Sequence, residues 1–287
     1  MKKRLIEKVE FYITNVCNLT CDHCNRFNNF NFKGWQRWSD HAQDYERWSE
    51  YVDFKQIVIL GGEPLLNPDI GRWITGINRL WGPVQVLTNG TMLNRVPNLY
   101  RHFNGVHKNW LTISMHNTDF KQQDKLFGEI EKFLKPPVRI TQGRHNHSSG
   151  ADYEFTDKNQ VKVALWDATD FQNTSLVELE NQSFTLHQSD PVKAHSVCGF
   201  VRHKNYHFIR GKFYKCGPVA LLPEFDKQFN LDISQEDRAL LTSYKPLSVD
   251  EYETRGDDFF AALDNPIEQC KFCPESFSVI KIAAITK

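Results

Sequence analysis

The stretch ITNVCNLTCDHC, residues 13–24, spaces three cysteines as Cys-x3-Cys-x2-Cys: Cys17, Cys21 and Cys24. The chain has 7 cysteines in 287 residues, so chance would produce this spacing with a probability of only about a few in a thousand. One short loop of this kind can present three thiolates to a 4Fe-4S cluster, whose fourth iron is then open to a cofactor. Zinc is the alternative, but a structural zinc prefers four protein ligands, and only His23 adds a histidine to the loop.

The cysteine loop follows the first of several candidate strands. From residue 8 to about residue 166, β-branched or aromatic runs alternate with longer amphipathic segments, as in βα units. The candidate strands cover residues 9–14, 56–60, 84–88, 110–115, 138–141 and 161–165. Parallel strands need crossover connections, and helices are predicted near residues 40–52, 68–80, 94–103 and 119–134. This pattern predicts an α/β fold, a partial (β/α)6 TIM-like barrel with its active site at the carboxyl ends of the strands.

A second motif follows the second candidate strand. QIVILGGEPLLNP, residues 56–68, contains the Gly-Gly-Glu-Pro turn Gly61, Gly62, Glu63 and Pro64. The cysteine loop and this turn together resemble the radical S-adenosylmethionine (SAM) superfamily, whose motif is Cys-x3-Cys-x-aromatic-Cys, with His23 in the aromatic position. The resemblance implies that SAM chelates the open iron, with the turn at its methionine amino group. It also implies that an electron from a reductant such as flavodoxin or ferredoxin cleaves SAM to a 5′-deoxyadenosyl radical, which takes hydrogen from the substrate.

Other strand ends resemble further SAM contacts of the same family. Thr88 and Asn89 end the third candidate strand, in VLTNG, and Ser114 ends the fourth. Arg139 lies in the fifth, and in relatives this position and that of Ser114 often hold the SAM carboxylate. Ordinary strand termination and an arginine on the barrel exterior are the alternative interpretations of Ser114 and Arg139.

The remaining cysteines form a second set: Cys198, Cys216, Cys270 and Cys273. A closed set of four thiolates holds either a structural zinc or a fully ligated 4Fe-4S cluster. NYHFIRGKFYKC, residues 205–216, predicts a β-hairpin that turns at Arg210-Gly211. The hairpin cysteine and the closing CKFC pair resemble the twitch and SPASM extensions of radical SAM enzymes, and four cysteines correspond to a twitch-type domain with one auxiliary cluster.

The predicted organisation is therefore a radical SAM partial barrel over residues 1–190 and a small α+β twitch-like cluster domain over residues 191–287. Helices are predicted near residues 219–229 and 248–263, and a last strand in the run SVIKIAAI. Lys+Arg and Asp+Glu each total 35, so net charge does not favour nucleic acid or an anionic membrane as a partner. No apolar run suits a signal peptide or a membrane span, and a cytoplasmic protein is expected.

The leading functional hypothesis is an oxidoreductase or epimerase acting on a small polar molecule such as a sugar, nucleoside or aminocyclitol. The auxiliary cluster would accept an electron from the substrate radical. The first strand begins within ten residues, so no N-terminal peptide-recognition domain is expected; peptide modification remains the second hypothesis because that domain can be a separate chain. RNA-base modification is the third, since the aromatic and basic stretch at residues 27–38 could stack on bases. A non-catalytic, redox-sensing cluster protein is the fourth.

Overall fold

The computed structural model describes residues 3–28, 30, 33–104, 108–116, 119–143, 152–168, 170–172, 174–180, 183–276, 278–281 and 284–286. The strands in these residues are β1 (Arg4–Tyr12), β2 (Leu19–Cys21), β3 (Val52–Leu60), β4 (Gln85–Thr88), β5 (Trp110–Met115), β6 (Val138–Gly143), β7 (Asp152–Asp157), β8 (Lys162–Asp167), β9 (Asp170–Gln172), β10 (Leu176–Glu178), β11 (Phe184–Leu186), β12 (Asn205–Ile209), β13 (Lys212–Tyr214), β14 (Val279–Lys281) and β15 (Ala284–Thr286). The α-helices are α1 (Ala42–Tyr51), α2 (Ile70–Leu80), α3 (Phe120–Phe133), α4 (Pro191–Ser196), α5 (Gly199–Arg202), α6 (Gly217–Phe229), α7 (Gln235–Ser243) and α8 (Tyr252–Ala262). Short 3-10 helices lie at Trp38–Asp40, Pro64–Leu66, Leu99–His102, Val249–Glu251 and Glu268–Phe272.

A mixed sheet joins most of these elements, in the order β13-β12-β1-β3-β4-β5-β8-β7-β6. The strands from β12 to β8 in this order run parallel to their neighbours. At the two edges, β13 and the pair β7 and β6 run antiparallel. Because parallel strands end at the same side of a sheet, the residues that follow β1, β3, β4 and β5 meet there. The α/β class predicted from the sequence is confirmed.

Aromatic packing fixes the helices against the sheet. Phe11 on β1 is fully buried, and its ring centroid lies 5.0 Å from that of Phe208 on β12 and 5.9 Å from that of Tyr45 on α1. Trp73 on α2 lies 6.3 Å from the same ring. Aromatic pairs at these distances add stabilisation beyond the area that they bury. The parallel strands, α1 and α2 therefore share one core.

The sequence located most strands and several helices of this fold. The candidate strand at residues 110–115 coincides with β5, and those at 9–14, 56–60, 84–88 and 161–165 overlap β1, β3, β4 and β8. The helix predicted near 94–103 is only the 3-10 helix Leu99–His102, while α4, α5 and α7 were not predicted. The final apolar run forms two short strands, β14 and β15, in place of one.

The strand predicted at 138–141 requires a correction. It is β6, which pairs antiparallel with β7 at the edge of the sheet and is not a parallel barrel strand. Residues 144–151 separate the two strands, and a crossover to a parallel neighbour needs a dozen or more residues. A hairpin-type pairing is therefore the arrangement that this connection permits.

The sixth parallel position belongs to β12, which pairs with β1. The predicted hairpin of residues 205–216 is confirmed: Arg210 and Gly211 have φ values of 51° and 70°, as a type I′ turn requires. The hairpin is nevertheless part of the main sheet. Trp48 on α1 also donates its indole N–H to the Gly211 carbonyl oxygen over 2.8 Å. The sheet therefore continues past residue 190.

None of the helices in the described ranges combines the length and the apolar character that a bilayer-spanning helix needs.

A glycine pair in two helices tests this packing. A Cβ atom on Gly76 of α2 would lie 2.2 Å from Cε2 of Trp38, whereas a Cβ atom on Gly128 of α3 would have no atom within 4 Å. We expect Gly76→Ala to lower the free energy of unfolding by about 1–3 kcal/mol, because overpacking outweighs the helix propensity of alanine. Gly128→Ala is the matched control and should raise it by about 0.5–1 kcal/mol. Urea unfolding measures both, and equal stability of the two variants would contradict this packing.

Candidate functional site

The cysteine loop and the carboxyl ends of three strands enclose one cavity of about 650 Å³. The residues predicted from the sequence that line it are Cys17, Cys21, Cys24, Gly61, Gly62, Thr88, Asn89 and Ser114. They come from the loop after β1, the turn after β3 and the ends of β4 and β5. The parallel topology therefore brings together side chains that lie up to about a hundred residues apart in the chain.

The turn after β3 lies against the backbone of the cysteine loop. The N–H of Gly62 donates to the Thr14 carbonyl oxygen, and the N–H of Glu63 donates to that of Val16, each over 2.8 Å. A Cβ atom on Gly61 would lie 2.5 Å from the Thr14 oxygen, and one on Gly62 would lie 2.3 Å from the Val16 oxygen. Only glycine permits this approach. The two glycines therefore determine where the cysteine loop lies.

Glu63 is buried behind this turn and does not line the cavity. Its carboxylate accepts hydrogen bonds from the Thr88 hydroxyl over 2.6 Å, from the Leu65 N–H over 2.9 Å and from the Asn89 N–H over 2.8 Å. Pro64 is buried beside it. Burial raises the pKa of Glu63 to about 7, although the three hydrogen bonds favour the ionised form. The carboxylate therefore ties the end of β4 to the turn.

A second link joins the end of β4 to the cysteine loop itself. The Asn89 amide donates to the Asn18 side-chain oxygen over 2.9 Å, and the Asn18 amide donates to the Thr91 hydroxyl over 2.8 Å. Asn18 lies between the first two cysteines. Sequence reasoning missed Asn18 and Thr91, because their role depends on strands that are distant in the chain.

Ser114 and His116 line the cavity from β5 and the residue after it. The Ser114 hydroxyl accepts a hydrogen bond from the Trp166 indole N–H over 2.7 Å. His116 Nδ1 donates to the Ala168 carbonyl oxygen over 3.1 Å. Burial lowers the pKa of His116, which favours the neutral imidazole. A neutral histidine that lines the cavity can accept a proton.

Besides Glu63 and Pro64, two further predicted cofactor contacts do not line this cavity. Arg139 is exposed on the edge strand β6, which β7 and β8 separate from β5. The antiparallel placement of β6 therefore removes the basis for placing Arg139 at the SAM carboxylate. His23 is also exposed, at a left-handed φ of 57° in the turn between Cys21 and Cys24. The backbone at His23 turns the chain so that both neighbouring cysteines line the cavity.

The last strand covers the cysteine loop. Residues of β15 pair antiparallel with β2, with Ala284 opposite Cys21. The sequence had predicted a terminal strand but not its partner. The loop is therefore held by the backbone on two sides, by β15 and by the turn after β3.

The aromatic stretch proposed as an RNA-stacking surface is mostly core. Phe27 and Trp38 are 1% and 8% exposed. Phe30 packs on Phe225, with ring centroids 5.0 Å apart. Of its aromatic residues that the structure describes, Trp35 alone is among the exposed large hydrophobic residues, at 40%. Phe27 and Trp38, at the two ends of this stretch, are therefore too buried to stack on bases.

The second set of cysteines converges on another cavity, of about 970 Å³, which all four line. Cys198 and Cys216 immediately precede α5 and α6, and Cys270 and Cys273 belong to or follow the last 3-10 helix. The Sγ of Cys273 lies 3.4 Å from the Ser175 hydroxyl. Burial raises the pKa of Cys273 to about 12 and that of Cys216 well above its usual value, with mutual repulsion adding to both.

The donor chemistry of the two sets determines what each can hold. Three thiols without a fourth protein ligand suit a 4Fe-4S cluster with one open iron. Four thiols that line one cavity need a cationic centre to stabilise them together as thiolates, which suits a closed cluster or a zinc ion. In the ranges that the structure describes, no three His, Cys, Asp or Glu side chains meet closely enough to hold a single metal ion. The group that each set of cysteines could hold is therefore inferred from the type of its donor atoms and from the cavity that the cysteines of that set share.

A buried charged network connects the two cavities. The Arg26 guanidinium, two residues after Cys24, donates to the Glu10 carboxylate, and His207 Nε2 lies 2.9 Å from the same carboxylate. Arg26 lines the first cavity and lies 5.1 Å from the ring centroid of Phe200, which lines the second. Burial would raise the pKa of Glu10, but Arg26 and His207 hold it well below its usual range.

The environment of Glu63 predicts a pH effect. A carboxyl group whose pKa is raised by folding stabilises the fold below its unfolded pKa, and this contribution disappears as pH rises through the folded pKa. With values of 4.5 and about 7, wild type should lose about 2 kcal/mol of unfolding free energy relative to Glu63→Gln between pH 5.5 and pH 8. Urea unfolding of both proteins at the two pH values measures this, and a difference that stays constant would show that Glu63 titrates normally.

Comparisons with known proteins agree with this geometry. Residues 11–137 match the family model described as Radical SAM superfamily. Over 140 residues the chain is 27% identical to an S-adenosylmethionine-dependent nucleotide dehydratase of Flammeovirga pacifica, covering 46% of each protein. Over 132 residues it is 27% identical to a probable GTP 3′,8-cyclase of Methanocaldococcus jannaschii, covering 46% of this chain and 44% of that one. The matches thus span less than half of these relatives.

Two solved structures are similar to this chain at lower sequence identity. BtrN in complex with AdoMet and 2-DOIA superimposes with a TM-score of 0.48 at 14% identity, covering 96% of this chain and 100% of BtrN. SuiB of Streptococcus suis bound to S-adenosylmethionine gives a TM-score of 0.36 at 18% identity, covering 45% of this chain and 31% of SuiB.

The family match includes the cysteine loop, the Gly-Gly-Glu-Pro turn and the ends of β4 and β5. Residues 11–137 of this chain are therefore similar to the radical SAM superfamily in the part of the structure that builds the cysteine cavity.

Proposed function

We propose that this protein is a radical SAM enzyme that abstracts hydrogen from a small polar substrate. The observation that carries the proposal is that the three loop cysteines share one cavity with Gly61 and Gly62. A 4Fe-4S cluster held there would supply the electron that cleaves SAM to a 5′-deoxyadenosyl radical. The residues of the chain would hold the cluster, position SAM and exclude water.

Each lining residue has a separate role in this proposal. Cys17, Cys21 and Cys24 hold the cluster. Gly61 and Gly62 allow the turn to approach the cysteine loop. The cofactor contacts carried forward from the sequence are the turn glycines, the strand-end residues Thr88 and Asn89, and Ser114. Glu63 positions this group from behind, because it bonds to both Thr88 and Asn89.

The second set of cysteines is proposed to hold one auxiliary 4Fe-4S cluster, as in a twitch domain. In this proposal the six parallel strands form the partial barrel, with β12 as a member. The cavity contains apolar side chains, among them Phe272 and Leu222, which suit a cluster that exchanges electrons and does not bind substrate. Four protein thiolates also leave no iron open to a ligand.

Oxidation of the substrate would remove one hydrogen atom and then one proton and one electron. Loss of a hydrogen atom leaves a carbon radical next to a hydroxyl or amine group. Loss of one proton and one electron then yields a carbonyl or an imine. Cys198, Cys216, Cys270 and Cys273 would hold the auxiliary cluster, which would supply the electron-accepting chemistry, and His116, which lines the first cavity, would accept the proton.

Two observations favour a nucleoside or nucleotide within the proposed substrate class. The matched relatives are named a nucleotide dehydratase and a GTP cyclase. A neighbouring cavity of about 930 Å³ shares Asn89, Ser114 and His116 with the cysteine cavity and is also lined by Arg95 and Lys125. Two cationic side chains beside the cofactor cavity suit a phosphate-bearing substrate.

Metal content and SAM cleavage test this proposal. Anaerobically reconstituted wild type should contain roughly eight irons per chain, and the Cys17→Ala, Cys21→Ala, Cys24→Ala triple variant about four, because each cubane holds four. With strong reductant, wild type should form 5′-deoxyadenosine from SAM, and the triple variant should not.

The matched control is Cys270→Ala with Cys273→Ala. It should lose the second group of irons but keep those of the first site, together with SAM cleavage. Wild type that holds iron but never forms 5′-deoxyadenosine would contradict the enzymatic proposal. Zinc in the second site would contradict the electron-acceptor role alone.

A further inference from the structure

We propose that Lys215 raises the reduction potential of the second cysteine centre, which makes that centre a better electron acceptor. The inference rests on the proposed function, since it takes the second centre to be a 4Fe-4S cluster. No sequence motif points to this lysine. Its environment in the folded chain does.

Lys215 is buried and belongs to the second cavity. It is only 4% exposed, and it lines the same cavity as all four cysteines. Lysine is almost never buried to this extent unless it is paired. Within the described residues, no carboxylate lies within ion-pair distance of its Nζ. Asp264, the acidic residue of this region, bonds to Lys204 over 2.9 Å and to Tyr206 over 2.8 Å.

Among the residues that the structure describes, two protein groups serve as acceptors for the Lys215 ammonium. Its Nζ donates to the Leu263 carbonyl oxygen and lies 3.5 Å from His195 Nε2. An ammonium carries three N–H groups, so two such acceptors leave one for another partner. Lys215 directly precedes Cys216 and lines the cavity that all four cysteines share. The sulfur centre is therefore the partner that accounts for this buried cation.

Electrostatics give the direction of the effect. A cluster with four thiolate ligands is anionic, and reduction adds one more negative charge. A fixed positive charge therefore stabilises the reduced form more than the oxidised form, and a hydrogen bond to a sulfur acts in the same direction. Phe27, Phe200 and Phe272 also line the cavity and limit screening by water. The potential of this centre should accordingly depend on the charge at position 215.

A redox titration of the second centre alone tests this. The background is the Cys17→Ala, Cys21→Ala, Cys24→Ala variant, in which only the second centre can hold iron. We expect Lys215→Met to lower the midpoint potential, measured by electron paramagnetic resonance during the titration, because it removes the charge. Lys215→Arg keeps the charge and should restore most of the potential. A lysine with only a structural role would not produce this difference in midpoint potential between Lys215→Met and Lys215→Arg.

Further variants keep the test decisive. Lys215→Gln retains a donor for the Leu263 carbonyl oxygen and loses the charge, so it replaces Lys215→Met if that variant does not fold, and it should lower the potential equally. Lys212→Met is the control, since Lys212 lies on the same hairpin and is exposed to solvent, so its charge is screened. It should leave the potential unchanged.

The outcomes separate the inference from the proposed function. A 4Fe-4S signal with the same potential in Lys215→Met or Lys215→Gln as in the parent would overturn the inference and leave the cluster assignment intact. Zinc without iron in the parent would overturn both the cluster assignment and the role of Lys215. A lower potential in the neutral variants together with recovery in Lys215→Arg would support both.

Discussion

The cavity depends on one close backbone approach, between the turn after β3 and the loop that carries the first three cysteines. Two N–H groups of the turn donate to carbonyl oxygens of the loop, and no side chain fits at Gly61 or Gly62. The position of the loop is therefore set by hydrogen bonds to the central sheet and not by the cysteines themselves. Glu63 extends the same constraint to β4, because one buried carboxylate bonds to the turn at Leu65 and to the strand end at Thr88 and Asn89. A cluster bound by this loop would thus have a defined position relative to the ends of three strands.

The second centre is linked to the first through shared structure. The hairpin of β12 and β13 completes the parallel part of the sheet and leads directly to Cys216. Arg26 follows Cys24, bonds to Glu10 on β1 and lies against Phe200, which follows Cys198. Charged groups buried in such a network hold their geometry because each would be costly to leave unpaired. This arrangement gives the electron transfer proposed between substrate and auxiliary cluster a rigid framework.

Local sequence signals predicted local structure well. Residues 110–115 form β5 as predicted, because an apolar, β-branched run between polar loops has few alternatives, and the turn at Arg210-Gly211 follows from the backbone freedom of glycine. The pairing of strands that are distant in the chain could not be predicted from local sequence in the same way. β6 and β12 are both short strands, and the residues of neither segment indicate which of the two pairs with the parallel strands. The misplacement of Arg139 follows from that uncertainty. The cysteines were recognisable by spacing, whereas Asn18, His116 and Lys215 acquire their roles only through neighbours far away in the chain.

In the proposed function, three thiolates leave one iron free to bind SAM beside Gly61 and Gly62. Electron-nuclear double resonance of the reduced, reconstituted protein with SAM labelled at its methionine amino nitrogen tests this most directly. We expect a hyperfine coupling between that nitrogen and the reduced cluster, which disappears in the Cys17→Ala, Cys21→Ala, Cys24→Ala variant. A reduced cluster that shows no coupling to bound SAM, or the same coupling in that variant, would contradict it.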